Sequence, residues 1–164
     1  MVPFKHILVP TDFGEPSERA LDVAIDLASI LGSKLTLFHA SWLPPSAYGG
    51  FVRGLNWPTD EMAKGANEEF TAALAIAKGR YAATEGLVVT GEPWRTILMG
   101  AKELGADIIV MGTHGRRGLS HVLLGSVAEK IVRLAPIAVL TISGKADQEA
   151  KEKGLERIIG SAKG

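Results

Sequence analysis

The stretch Ile108–Ile131, IIVMGTHGRRGLSHVLLGSVAEKI, joins an apolar run to a glycine-rich loop bearing two arginines and then to the opening of a helix. Ile108, Ile109, Val110 and Met111 suit a strand buried on both faces, as in a parallel sheet. Gly112, Gly115, Gly118 and Gly125 break the pattern and let backbone approach a ligand closely. Ser126 then opens an apolar-periodic segment, Val127, Ala128, Ile131, Val132 and Ala135, with Glu129 three residues after the serine. That spacing predicts a capping-box start, in which the Ser126 oxygen accepts from the Glu129 amide. A helix N-terminus offers oriented N–H donors and the positive end of the macrodipole, so an anion such as phosphate fits there.

Working outward toward the N-terminus, Ile97, Leu98, Ala101 and Leu104 predict a helix ended by Gly105, after a Gly91-Glu92-Pro93 turn. Leu87 to Thr90 predicts a strand before it. A longer helix is predicted from Thr59, with Met62, Ala66, Phe70, Leu74, Ala77 and Tyr81 as its apolar stripe. Ser41 to Pro58, rich in proline, glycine and aromatics, is a long loop, with a lid and a segment folded back on the sheet both open. Leu35 to Ala40 predicts a strand, and Ala20, Leu21, Ala24, Leu27, Ala28 and Leu31 a helix that opens near Pro16 and stops at Gly32. Ile7 to Val9 predicts the first strand, closed by Pro10, Thr11, Asp12 and Phe13. Beyond Pro136, Ala138 to Ile142 predicts the last.

Strands and helices thus alternate, which predicts an α/β fold: one doubly wound, five-stranded parallel sheet with helices on both faces. Ligands of such sheets bind beyond the carboxyl ends of the strands, where strand order reverses. That rim would collect Pro10-Thr11-Asp12, Ala40-Ser41 and Gly112 to Gly118.

The 164 residues suit a single domain over residues 1–143, with a charged tail over 144–164 that is either a short docked helix or disordered. Lys+Arg and Asp+Glu are equal at 18 each, and no dense basic run argues for nucleic acid or a membrane surface as partner. With no cysteine, thiol catalysis, thiolate metal sites and disulfides are excluded, which is compatible with the cytoplasm. The opening apolar run is too short for a signal-peptide core, and no stretch has the length of a membrane span. His6 and His39, in or beside apolar strands, read as hydrogen-bonded core histidines, and His114 and His121 as surface ones. No pair has zinc-site spacing with a third partner, so no protein metal site is expected.

Gly112-Thr113-His114-Gly115, nine residues, then Gly125-Ser126 reproduces a Gly-x2-Gly-x9-Gly-Ser signature. With ILVPTDF at the first strand end and PIAVLTI at the last strand, the chain resembles the universal stress protein family, in its ATP-binding branch, over about residues 3 to 143. The resemblance implies a Rossmann-like fold and an adenine nucleotide, ATP with or without Mg²⁺, as ligand. It places Pro10, Thr11 and Asp12 on the ribose and adenine side and Ala40 against adenine. Met111, Gly112, Thr113, His114, Gly115, Arg116, Arg117 and Gly118 would lie around the ribose and phosphates, and Ser126, Val127 and Ala128 would donate to the phosphates. For Asp12, capping of nearby N–H groups and ligand binding both stay open. The resemblance further implies a homodimer through the last strand, Ile137 to Ile142, and a partner protein of unknown identity. No P-loop motif, paired carboxylates or Ser/His/Asp order points to an efficient enzyme. The expected role is a nucleotide-dependent regulatory switch in a stress response. A slow ATPase or autophosphorylating enzyme, and a nucleotide-free scaffold, are the alternatives.

Overall fold

The computed structural model describes residues 4–41, 59–114, 124–145, 148, 149, 152 and 153. The strands are β1 (His6–Pro10), β2 (Lys34–Ser41), β3 (Thr84–Thr90), β4 (Ile108–Gly112) and β5 (Ala138–Ile142). They alternate with helices α1 (Glu15–Leu31), α2 (Thr59–Arg80), α3 (Pro93–Leu104) and α4 (Ser126–Leu134). All strand pairs are parallel, in the order β3-β2-β1-β4-β5. Strand order therefore reverses between β1 and β4.

Alternation along the central strands divides the core into two layers. Ile7, Val9, Leu35, Leu37, Ile108 and Val110 pack with Ala20, Ala24 and Ala28 of α1 and Phe70 and Ala77 of α2. Leu8, Phe38, Ile109 and Met111 pack with Ile97 and Ala101 of α3 and Ala128 and Ile131 of α4. Ala20, Ala24 and Ala28, four residues apart on one face, are fully buried, so α1 lies close to the sheet. Gly32 (φ 68) and Gly105 (φ 64) close α1 and α3 in the left-handed conformation, as the sequence predicts.

β1 and β2 each run one residue past their apolar stretches at both ends, and two further boundaries differ from expectation. β3 begins at Thr84 rather than Leu87, because Thr84, Glu85 and Gly86 pair with Leu35, Thr36 and Leu37 of β2. A Cβ on Gly86 would sit 2.5 Å from Leu74 of α2, so this polar-looking stretch meets a tertiary demand that an apolar-run rule misses. Tyr81 lies beyond α2, and its hydroxyl donates to the Ser33 carbonyl at 2.7 Å.

At the amino ends of the strands, Asp107 Oδ2 accepts from the Lys5 and His6 amides at 2.8 and 2.9 Å. A carbonyl only accepts, so His6 Nδ1–H donates to Leu104 at 3.0 Å, and Nε2 accepts from the Thr36 hydroxyl at 2.8 Å. Burial is the main cause holding the His6 pKa below its ordinary 6.5. His6 is thus a hydrogen-bonded core histidine, as expected.

Candidate functional site

Three segments meet at the carboxyl ends of β1, β2 and β4, beside the reversal of strand order. The turn after β1 is built from its own side chains. Thr11 Oγ1 accepts from the Phe13 amide at 3.1 Å, and Asp12 Oδ1 accepts from the Gly14 amide at 3.1 Å. These are two successive side-chain turns of the type Thr and Asp favour. Ser17 gives its one hydroxyl proton to the Gly14 carbonyl at 2.8 Å, so the Thr11 hydroxyl is the donor in the 3.2 Å bond to Ser17 Oγ. Between them Phe13 is held at φ 64, the only non-glycine residue with positive φ among the described residues. For a bulky side chain that conformation costs about 1–2 kcal/mol.

The end of β2 braces this turn. The Thr11 amide donates to the Phe38 carbonyl at 2.8 Å, and His39 Nδ1–H donates to the Thr11 carbonyl at 2.9 Å. The His39 ring lies 4.6 Å from that of Phe13 and 6.4 Å from that of Phe70. His39 is therefore hydrogen-bonded within the fold, as expected of it, while Ala40 is half-buried at the edge of the α3/α4 layer.

After β4, the Thr113 amide donates to the Ile142 carbonyl at 2.9 Å, and the Thr113 carbonyl accepts from the Gly125 amide at 2.8 Å. One residue thus ties the end of β5 to the start of α4. A Cβ on Gly112 would sit 2.8 Å from the Pro16 carbonyl carbon, so this glycine is required where β4 meets the first turn of α1. Met111 is buried in the core beneath. His114 is 9% exposed, with Nδ1 3.1 Å from Thr113 Oγ1. The surface position expected of it is corrected: the side chain is buried. Gly115, Arg116, Arg117, Gly118 and His121 lie outside the described residues, as does the 42–58 loop.

The start of α4 is also corrected. Its N-cap is Gly125 (φ −67, ψ 157), with no side-chain cap, and the Gly125 carbonyl accepts from the Glu129 amide at 2.9 Å. Ser126 is already helical, so its hydroxyl is one position too late for the capping box. The Ser126, Val127 and Ala128 amides precede that first intrahelical bond. The Ser126 side chain is exposed, whereas Ala128 is only 2% exposed and faces the core. Lys130, on the next turn, lies 5.2 Å from the Trp94 ring and 3.9 Å from Glu92, tying α4 to the start of α3. Sequence reasoning placed Glu92 only in the turn before α3 and gave Trp94 no role of its own; their pairing with Lys130 spans two helices and leaves no local periodicity.

Among the described residues no cluster of three or more His, Asp or Glu side chains could hold a metal ion, and no helix is long and apolar enough to cross a membrane.

The model of the universal stress protein family matches residues 3–143. The chain belongs to the universal stress protein family. Universal stress protein YxiE of Bacillus subtilis is 32% identical over 146 residues, covering 85% of this chain and 99% of YxiE. The solved structure of MJ0577, a universal stress protein of Methanocaldococcus jannaschii, matches with a TM-score of 0.72 at 28% identity, over 88% of this chain and 99% of that one. The universal stress protein from Archaeoglobus fulgidus in complex with dAMP matches with a TM-score of 0.62 at 26% identity, over 86% and 99%. The five-stranded parallel sheet with helices on both faces is that of these family structures.

Proposed function

We propose that this universal stress protein binds ATP at the carboxyl ends of β1, β2 and β4 and acts as a nucleotide-dependent regulatory switch. The observation that carries the reading is the start of α4 at Gly125, without a side-chain cap, in a sheet whose strand order reverses between β1 and β4. Amides of a first helical turn suit an anion, and the glycine signature that leads into them keeps side chains out of its path. The dAMP complex of the Archaeoglobus fulgidus relative supports an adenine nucleotide as the ligand class.

In this reading Pro10, Thr11 and Asp12 lie on the ribose and adenine side, and Ala40 against the base. Gly112, Thr113 and His114 shape the floor with Met111 beneath, and Ser126, Val127 and Ala128 donate to phosphate. Gly115, Arg116, Arg117 and Gly118 complete the phosphate side, where a guanidinium grips oxygens bidentately. Asp12 is a carboxylate at the rim, of the oxygen-ligand type that Mg²⁺ accompanying a triphosphate takes. Ordering of the loop between Gly112 and Gly125 by the ligand would then alter a surface read by a partner protein.

Assembly follows from the other edge of the same unit. β5 is an edge strand of uncharged residues, with Leu140 37% exposed, and α4 beside it exposes Val132 (50%) and Leu134 (48%). A second copy pairing through Ile137 to Ile142 would cover that edge.

The test is to denature freshly purified protein that has met no added nucleotide and to identify released small molecules by chromatography and mass spectrometry. ATP or ADP near one per chain is expected. The Gly125 backbone is extended, a conformation that accepts a β-branched residue, so Gly125→Val adds bulk at the start of α4 in an allowed backbone conformation. It should abolish ATP binding in calorimetry while the far-UV spectrum stays unchanged. Wild-type affinity in this variant would refute the site.

A further inference from the structure

The turn after β1 holds a bulky residue in a left-handed backbone conformation and is braced from a different strand. Phe13 has φ 64, although glycine, which takes that conformation without a steric penalty, stands one position later at Gly14. Strain of this kind persists only where surrounding contacts over-determine it. Here those contacts come from His39 of β2, 28 positions from Thr11 and 26 from Phe13. Its Nδ1–H donates to the Thr11 carbonyl at 2.9 Å, and its ring packs 4.6 Å from Phe13. Phe70 of α2 backs the imidazole from beyond, at 6.4 Å. The bonds from Thr11 and Asp12 to the Phe13 and Gly14 amides are local to the turn. Two hydrogen bonds join Thr11 to β2: the Thr11 amide to the Phe38 carbonyl, and His39 to the Thr11 carbonyl. The first continues the β1–β2 ladder, and only the second comes from a side chain.

We infer that His39 is a positioning residue for the base-and-ribose half of the nucleotide site. It holds the Thr11–Phe13 turn in the conformation that presents Pro10, Thr11 and Asp12 to the ligand. This rests on the nucleotide reading above. His39 acts through the turn and need not touch the ligand, and the phosphate half, at the start of α4, is independent of it.

That separation gives the test. His39→Phe keeps an aromatic ring between Phe13 and Phe70 and removes the donor to Thr11. His39→Asn removes the ring but places a side-chain N–H close to the former Nδ1. Binding of AMP, ATP and inorganic tripolyphosphate is measured by calorimetry for each variant and for the wild type. Loss of one hydrogen bond to a half-buried carbonyl predicts that His39→Phe weakens AMP and ATP by the same factor, about tenfold. Tripolyphosphate binding stays within about twofold, and His39→Asn recovers most of the AMP affinity. A structural role alone would lower all three ligands together. AMP affinity unchanged in His39→Phe, or tripolyphosphate falling in parallel with AMP, overturns the positioning role while the nucleotide site stands. A wild-type chain that binds neither AMP nor ATP overturns the nucleotide reading and this inference with it. Should His39→Phe fail to fold, His39→Ala, which also lacks the donor, decides: AMP weakened about tenfold with tripolyphosphate within about twofold supports the role, and unchanged AMP affinity overturns it.

Discussion

Adding one methyl group to three different glycines should change stability in two directions. Gly112 is the crowded case: an added Cβ would stand 2.8 Å from the Pro16 carbonyl carbon, 2.9 Å from Pro16 Cβ and 3.0 Å from its carbonyl oxygen. These are backbone and ring atoms at the first turn of α1, and β4 is fixed by its pairing with β5 at Gly112 and Ile142. Neither side can yield by a rotamer change, so Gly112→Ala is an overpacking substitution of about 2 kcal/mol. An unfolding entropy of about 2.1 cal/mol/K per residue gives a domain of this length about 340 cal/mol/K. The expected fall in Tm is therefore about 6 °C. Gly105→Ala meets nothing within 4 Å, but its φ of 64 adds about 1 kcal/mol of backbone strain and a fall of about 3 °C. Gly79→Ala, inside α2 with open space around its Cβ, should gain about 0.5–1 kcal/mol and raise Tm by about 2 °C. Thermal unfolding followed by circular dichroism, with urea midpoints as a second measure, reads all three. Gly112→Ala as stable as the wild type, or Gly79→Ala less stable, would refute the assignment of these glycines to packing, cap and helix interior.

Because burial lowers the His6 pKa in the native state, the unfolded chain takes up this proton first. The contribution of neutral His6 is therefore complete above about pH 6.5 and is lost as pH falls below it, by up to about 1.4 kcal/mol per pH unit until the native pKa is reached. Urea unfolding from pH 7.5 to 5 should show this slope, and His6→Gln should flatten it; identical slopes would exclude His6 as the source. Leu140→Glu should convert a dimer to monomers in light scattering at micromolar concentration, whereas a monomeric wild type would remove β5 as an assembly edge. Lys130→Met should change stability by less than about 1 kcal/mol, since its partners Glu92 and Trp94 are partly solvated. A larger loss in a double-mutant cycle with Glu92→Gln would mean that the α3–α4 tie is tighter than its exposure allows.

Among the described residues, the order and type of β1 to β5 and α1 to α4 followed from local chemistry. Short apolar runs mark β1, β2, β4 and β5, three-and-four spacing marks the helices, and Gly32 and Gly105 end two of them because the left-handed cap is a property of the residue itself. The glycine signature likewise marked the passage from β4 to the start of α4, since its spacing lies within one strand-loop-helix unit. Tertiary structure alone decided what depends on partners distant in the chain. The first three residues of β3 are strand because β2 and Leu74 lie against them, and Gly112 is small because Pro16 is there. Ser126 lost the capping role because the Gly125 amide is drawn to Thr113 and the helix starts one residue earlier than the capping box requires. His39 looked like any half-buried strand histidine until the fold brought it against Thr11 and Phe13, 28 and 26 positions away. Periodicity reports which face of an element avoids water; it holds no information about which atom on another element will answer a given carbonyl, and that pairing exists only once the strands are in register.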